Sequence, residues 1–141
     1  MKFLQKLTLG CFFIVVLSSF SHSYWYPNLD AEVAERVKGS FRTGDARLLS
    51  AHFERNLELV IDTERIDFKR VRHEQAELIL KTFFKKYPPK DFRYGYQGTA
   101  SNVRYCTATY QSSNGTKFQV YILMRITDRD YLINTLHFKK E

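Results

Sequence analysis

The stretch LKTFFKKYPPKDFRYGYQG, residues 80–98, sets eight Phe, Tyr or Pro residues among five Lys and Arg. As a surface it is a nucleic-acid face, with rings to stack on bases and cations to hold phosphates. As part of a fold it is a helix end, a corner and the start of a strand. Spacing decides between them. Ala76, Ile79, Leu80, Phe83 and Tyr87 recur at i, i+3, i+4, i+7 and i+11, the apolar stripe of a helix over 73–87. Lys81 and Lys85 fall toward the opposite face, and Glu77 stands four residues before Lys81, the favourable order for an ion pair. Pro88-Pro89 then stops the helix, because proline lacks the N–H and biases its predecessor to an extended conformation. Beyond it, Phe92, Tyr94 and Tyr96 alternate with Arg93 and Gly95 at the period of a strand. The fold reading accounts for every residue type, so nucleic acid is not an expected partner.

The period of two continues toward the C-terminus, predicting strands at about 92–97, 102–111, 117–127 and 131–138. Asn114-Gly115 between the second and third is a strong hairpin signal, since both residues tolerate positive φ. A two-residue turn there sets Thr109 opposite Val120, Thr107 opposite Ile122 and Tyr105 opposite Met124. The core face is then Val103, Tyr105, Thr107 and Thr109 with Phe118, Val120, Ile122, Met124 and Ile126. The outer face carries Arg104, Cys106, Ala108 and Tyr110 with Gln119, Tyr121, Leu123 and Arg125. The facing of the last strand stays open, because one residue more or less in its turn swaps the faces.

Toward the N-terminus, Asp30 predicts a helix cap over roughly 31–38, with Gly39 ending the helix. Thr43-Gly44-Asp45 is a second start signal, followed by Leu48, Leu49, His52 and Phe53 at helical spacing. Leu57 to Ile61 predicts a strand, and residues 66–71 a short partner. Helix, helix, strands, long helix and antiparallel meander make an α+β layer fold with helices on one face of a sheet.

Residues 1–23 read as a secretory signal. Lys2 and Lys6 form its positive end, Leu7 to Leu17 its apolar run, and Ser21-His22-Ser23 a cleavage site, with the cut expected after Ser23. The run is shorter than the roughly 18–20 residues that a membrane span needs, so no span is expected in the mature chain. Residues 24–141 form one expected domain, secreted or periplasmic. Removing Lys2 and Lys6 from the 22 basic residues leaves 20 against 15 acidic ones, a net of +5 with both signs interspersed. Cys11 leaves with the signal, so Cys106 has no partner for an internal disulfide and is expected as a buried, inert thiol. His52, His73 and His137 show no metal-ligand spacing, and no cofactor motif is present.

GDARLLSAHF (44–53), LVI (59–61), QAELILKTFF (75–84), PPKDF (88–92), GTKFQVYI (115–122) and YLINTL (131–136) carry a resemblance. The chain resembles a domain-of-unknown-function family of small secreted Bacteroidota proteins with the nuclear transport factor 2-like fold, over about residues 30–138. The resemblance implies a curved antiparallel sheet wrapped on a long helix, a cone with a pocket, and two short N-terminal helices. Ketosteroid isomerase, scytalone dehydratase and polyketide cyclases share that fold, as do binding and dimerising domains without chemistry. Arg72-His73 departs from the cap residue expected before the long helix.

Catalysis in such a cone needs a titratable group aimed into the pocket. The four C-terminal strands, as bounded above, contain no Asp or Glu. The pocket-lining candidates are Tyr94, Tyr96, Tyr105, Thr107, Thr109 and His137, and no catalytic residue is assigned. The expected function is a non-catalytic binding or interaction module for a small, largely apolar molecule. Two alternatives stand beside it: a lyase or isomerase using His137 with Tyr105, which requires those side chains to converge in a pocket, and a homodimer or partner-binding domain using Tyr110, Tyr121 and Leu123 on the outer sheet face.

Overall fold

The structure, a computed structural model, describes residues 29–128 and 130–141. The expected signal, its cleavage point and the lead that follows lie outside these residues. The described chain runs α1 (Leu29–Thr43), α2 (Ala46–Ser50), β1 (Phe53–Ile61), β2 (Ile66–Arg72), α3 (His73–Lys86), β3 (Pro89–Ala100), β4 (Val103–Ser112), β5 (Lys117–Thr127) and β6 (Asp130–Lys140). The six strands form one sheet in the order β2-β1-β6-β5-β4-β3. All its pairings are antiparallel except β1 with β6, a parallel junction that the expected all-antiparallel wall lacks. Register shifts between Tyr94 and Gln97 in β3 and between Leu123 and Met124 in β5 bend the sheet, as bulges do.

Inside the bend lies α3. Ala76, Leu80, Phe83, Phe84 and Tyr87 are buried, while Lys81, Lys85 and Lys86 face solvent. The Phe83 ring has the rings of Phe84, Tyr87, Tyr110, Phe118 and Phe138 within 4.6–5.7 Å, joining the helix to β4, β5 and β6. Phe92, just past the prolines, is fully buried and stacks on Phe41 at 4.4 Å. Residues 80–98 are therefore a helix end, a proline corner and a strand, with the rings of Phe83, Phe84, Tyr87 and Phe92 turned in. Glu77 accepts a hydrogen bond from Ser50 Oγ at 3.1 Å, tying α3 to α2.

Gly39 does not end α1. Continuing the helix buries Phe41 completely, and that gain outweighs the modest cost of an internal glycine. The stop comes at Gly44, in the left-handed region at φ +66°. Gly44 N–H donates to the Phe41 carbonyl and Asp45 N–H to the Ser40 carbonyl, the paired bonds of a Schellman cap. Asp45 then caps α2, its Oδ1 accepting from Leu48 N–H at 3.0 Å.

The β4–β5 turn is the main correction. Gly115 N–H bonds back to the Ser112 carbonyl, Ser112 N–H takes the Thr116 carbonyl, and Gly115 holds φ +92°. This is a three-residue loop with a glycine bulge, in place of a two-residue turn. Thr109 consequently pairs with Gln119, Thr107 with Tyr121 and Tyr105 with Leu123. The inner face of β4 is Cys106, Ala108, Tyr110 and Ser112, all buried. The facing of β5 is as expected for Phe118, Val120, Ile122 and Met124, which are inside, but Ile126, expected with them, is exposed near the strand's end. A second irregularity sets the last strand: Met124 pairs with Ile133 but Leu123 with Thr135. That extra residue turns Ile133, Leu136 and Phe138 inward and leaves His137 opposite Tyr121 outside.

Candidate functional site

The shifted register redistributes the sequence candidates. Tyr105, Thr107 and Thr109 stand on the outer face beside Gln119, Tyr121 and Leu123. Thr107 Oγ1 accepts a hydrogen bond from Tyr96 N–H at 3.1 Å, and the Tyr96 side chain is exposed. The Tyr105 ring lies over Gly98, 6.0 Å from the Tyr96 ring, and a hydrogen bond with Tyr96 holds its hydroxyl pKa above the ordinary value. His137 Nε2 lies 2.9 Å from Glu58 Oε1. On β5, Tyr105 pairs with Leu123 and His137 with Tyr121, so the two do not converge inside a pocket. Of the six candidates Tyr94 points to the interior. Its hydroxyl donates to the Ala34 carbonyl at 2.7 Å, and burial pushes its pKa well above the usual tyrosine range. Among the interface candidates, Tyr121 and Leu123 are outside, but Tyr110 is fully buried in the core.

That Tyr94 bond pins α1 across one end of the sheet, where the helix touches both β3 and β6. A cleft opens on each side of it. The larger, about 600 Å³, lies between α1 and the beginning of β6. Val33, Arg36, Gly39 and Ser40 form its helical wall, with Leu48 and His52 on one side and Tyr131 on the other. The smaller, about 240 Å³, lies between Ala31 and Ala34 of α1 and the ends of β3, β4 and β5, where Tyr94, Cys106 and Met124 line it and Gly98 and Tyr105 reach its edge. Arg104, which lines the smaller cleft, holds its guanidinium 5.6 Å from the ring centre of Tyr131, which lines the larger. This cation–π pair stands between the two spaces.

The groups that meet the clefts have distinct electrostatics. His52 is half-buried, and its pKa lies below the ordinary 6.5, first through burial and then through the Arg36 charge, so it is neutral at neutral pH. Burial raises the Cys106 thiol to about 11, which keeps it protonated and unreactive. The buried Ser40 spends its hydroxyl on the Arg36 carbonyl at 2.9 Å. The observed strands are longer than expected and bring in Asp91 and Asp130; Asp91 pairs with Arg93 at 2.7 Å, and Asp130 is exposed beside the larger cleft. Glu54 and Glu58 of β1 bond Asn134 and His137 on the outer face. Among the described residues no group of three or more His, Cys, Asp or Glu is arranged to hold a metal.

Arg36, Ser40, His52 and Tyr131 are the site residues that the sequence reading missed. One signal was available: Gly39. Its φ is not positive, and a Cβ there would meet nothing within 4 Å. Neither backbone strain nor close packing calls for a glycine at this point in a helix; it leaves the wall of the larger cleft open.

The geometry has relatives. A structure from Bacteroides uniformis is similar at a TM-score of 0.70 and 20% identity, covering 77% of this chain and 97% of that one. One from Bacteroides ovatus aligns at 0.69 and 23%, covering 75% and 93%. Both are described as DUF4783 family proteins. An NTF2-like protein of unknown function from Shewanella baltica shares the fold at 0.63 and 8% identity, covering 80% and 91%. No curated protein matches the chain. The family model for the domain of unknown function DUF4783 matches residues 34–139, and with the NTF2-like cone described above the chain belongs to that family.

Proposed function

We propose that this protein is a non-catalytic binding module that takes a small, largely apolar molecule in the α1–β6 cleft. The observation that carries this is the open helix wall at Gly39 in a cleft of about 600 Å³, a size within the range of ligand pockets. Val33, Leu48 and Tyr131 supply apolar surface around it, and the half-buried His52 and the exposed Arg36 supply a few polar contacts. The expected signal at residues 1–23 supports a secreted or periplasmic module. Native mass spectrometry of protein purified from its own host tests the reading. Wild type should carry a small-molecule adduct that a folded Gly39→Phe variant lacks. An adduct-free wild type, or the same adduct in the variant, overturns it.

A second reading, homodimerisation through the outer sheet face, draws on the shifted register. The register exchanges Tyr110 for Tyr105 on that face, so Tyr105 and Thr107 stand beside Tyr121 and Leu123 there. Light scattering on wild type and Tyr121→Asp tests it: a dimer that the substitution dissociates supports the interface, and a monomer in both removes it.

A further inference from the structure

Arg36, His52 and the open wall at Gly39 together specify what kind of molecule the α1–β6 cleft accepts. Arg36 and Gly39 lie three residues apart, so they share one side of α1. The backbone of His52 is fixed at both ends: its N–H donates to the Leu49 carbonyl at 3.0 Å, and its carbonyl accepts from Ile133 N–H at 2.7 Å. The imidazole therefore stands at a defined place on the cleft wall.

The charge reaching His52 is positive. Arg36 adds to the depression of its pKa that burial begins. Among the described residues, the other charged or titratable groups lining the cleft are Asp130 and Tyr131 from β6; Leu48 and Ala51, on the α2 side, are neutral. Asp130 is exposed at the first residue of its strand. Arg36 pairs with Glu32 at 2.5 Å, but the two side chains are 65% and 59% exposed. Exposed pairs one helical turn apart hold weakly and exchange partners at little cost.

We infer that the cleft takes a small amphipathic monocarboxylate, its carboxylate on Arg36 and His52 and its aliphatic or aromatic body along Gly39 between Val33 and Tyr131. A guanidinium presents two parallel N–H donors that match a carboxylate, whereas an uncharged ligand leaves that fork unused. The open wall at Gly39 lets the body of the ligand approach the helix backbone. The inference rests on the binding-module reading and narrows it to a chemical class. It also has a linkage consequence. An anion beside His52 favours the imidazolium, so the bound state takes up a proton more readily, and affinity rises as pH falls from neutral through the bound-state pKa.

Amide and imidazole NMR titrations of the folded chain test this with matched probes: phenylacetate and hexanoate against phenylacetamide and hexanamide. The acids should shift the Gly39 and His52 signals and bind about tenfold more tightly than the amides. Arg36→Gln should remove that preference, and Glu32→Gln, which frees Arg36, should strengthen it. His52→Gln should keep the preference for acids but lose the gain in affinity that wild type shows as pH falls from neutral. Acids and amides binding equally at Gly39 would overturn the carboxylate assignment and leave the binding cleft standing. Probes that leave Gly39 and His52 unperturbed overturn both. Acid affinity unchanged in Arg36→Gln overturns the role given to the guanidinium.

Discussion

The hydroxyl of Tyr110 donates to the backbone carbonyl of Tyr87, joining the inner face of β4 to the last residue before Pro88. Tyr110 is fully buried, so this bond forms away from water. A second bond holds the same corner from the other side: Ser113 N–H donates to the Pro88 carbonyl at 2.7 Å. The proline corner that separates α3 from β3 is thus clamped to the β4–β5 hairpin, and the end of α3 is positioned relative to the sheet.

Tyr110→Phe keeps the ring and its packing but leaves the Tyr87 carbonyl without that donor. The expected loss is about 1–3 kcal/mol, the cost of an unsatisfied buried acceptor. Urea unfolding should show a lower midpoint with an unchanged slope.

Glycine-to-alanine substitution should have opposite signs at two nearby positions. Gly39→Ala adds a methyl group where nothing lies within 4 Å and should stabilise the helix by up to about 1 kcal/mol. Gly44→Ala forces alanine into φ +66° and brings its Cβ to 3.1 Å from Pro89 Cδ. It should destabilise by about 1–2 kcal/mol or more. Thermal melts of the two variants give the comparison directly.

A Cβ at Gly98 would lie 2.6 Å from Tyr105 Cε2 and Oη, so the ring must move. Gly98→Ala should destabilise wild type by about 1 kcal/mol and cost much less in a Tyr105→Ala background. A double-mutant cycle in urea measures the coupling; additive effects would show that the ring does not rest on Gly98.

His52 couples stability to pH. Its folded-state pKa lies below the unfolded value of 6.5, so the unfolded chain binds the proton first on acidification. The stability it contributes is complete above about pH 6.5 and is lost as pH falls through the folded-state pKa. Stability measured across that window should fall less steeply in His52→Gln than in wild type.

The features read correctly from the sequence are those whose cause is local. The stripe from Ala76 to Tyr87, the double proline and the Thr43-Gly44-Asp45 start signal each act within one or two turns of chain and appear where the pattern placed them, although the second helix stops at Ser50 and leaves His52 and Phe53 outside it. The β4 facing failed because Asn114-Gly115 suits two hairpin loops of different length. Neither β4 alternation decides between them: Val103, Tyr105, Thr107 and Thr109 make as plausible an inner row as Cys106, Ala108, Tyr110 and Ser112. One loop residue moved Tyr105, Thr107 and Thr109 out of the expected pocket and took Tyr110 into the core.

The order of elements and the α+β class follow from periodicity, proline and capping, which need only near neighbours along the chain; the curved sheet wrapped on the long helix is what the family resemblance implies. The cleft follows from none of these. Arg36 on α1, His52 in the turn before β1 and Tyr131 on β6 line one cleft, beside which α1 is pinned across the sheet by a bond from Tyr94 to Ala34, sixty residues apart. Contacts of that range depend on strand register and helix placement, so only the assembled fold could select which side chains share the space.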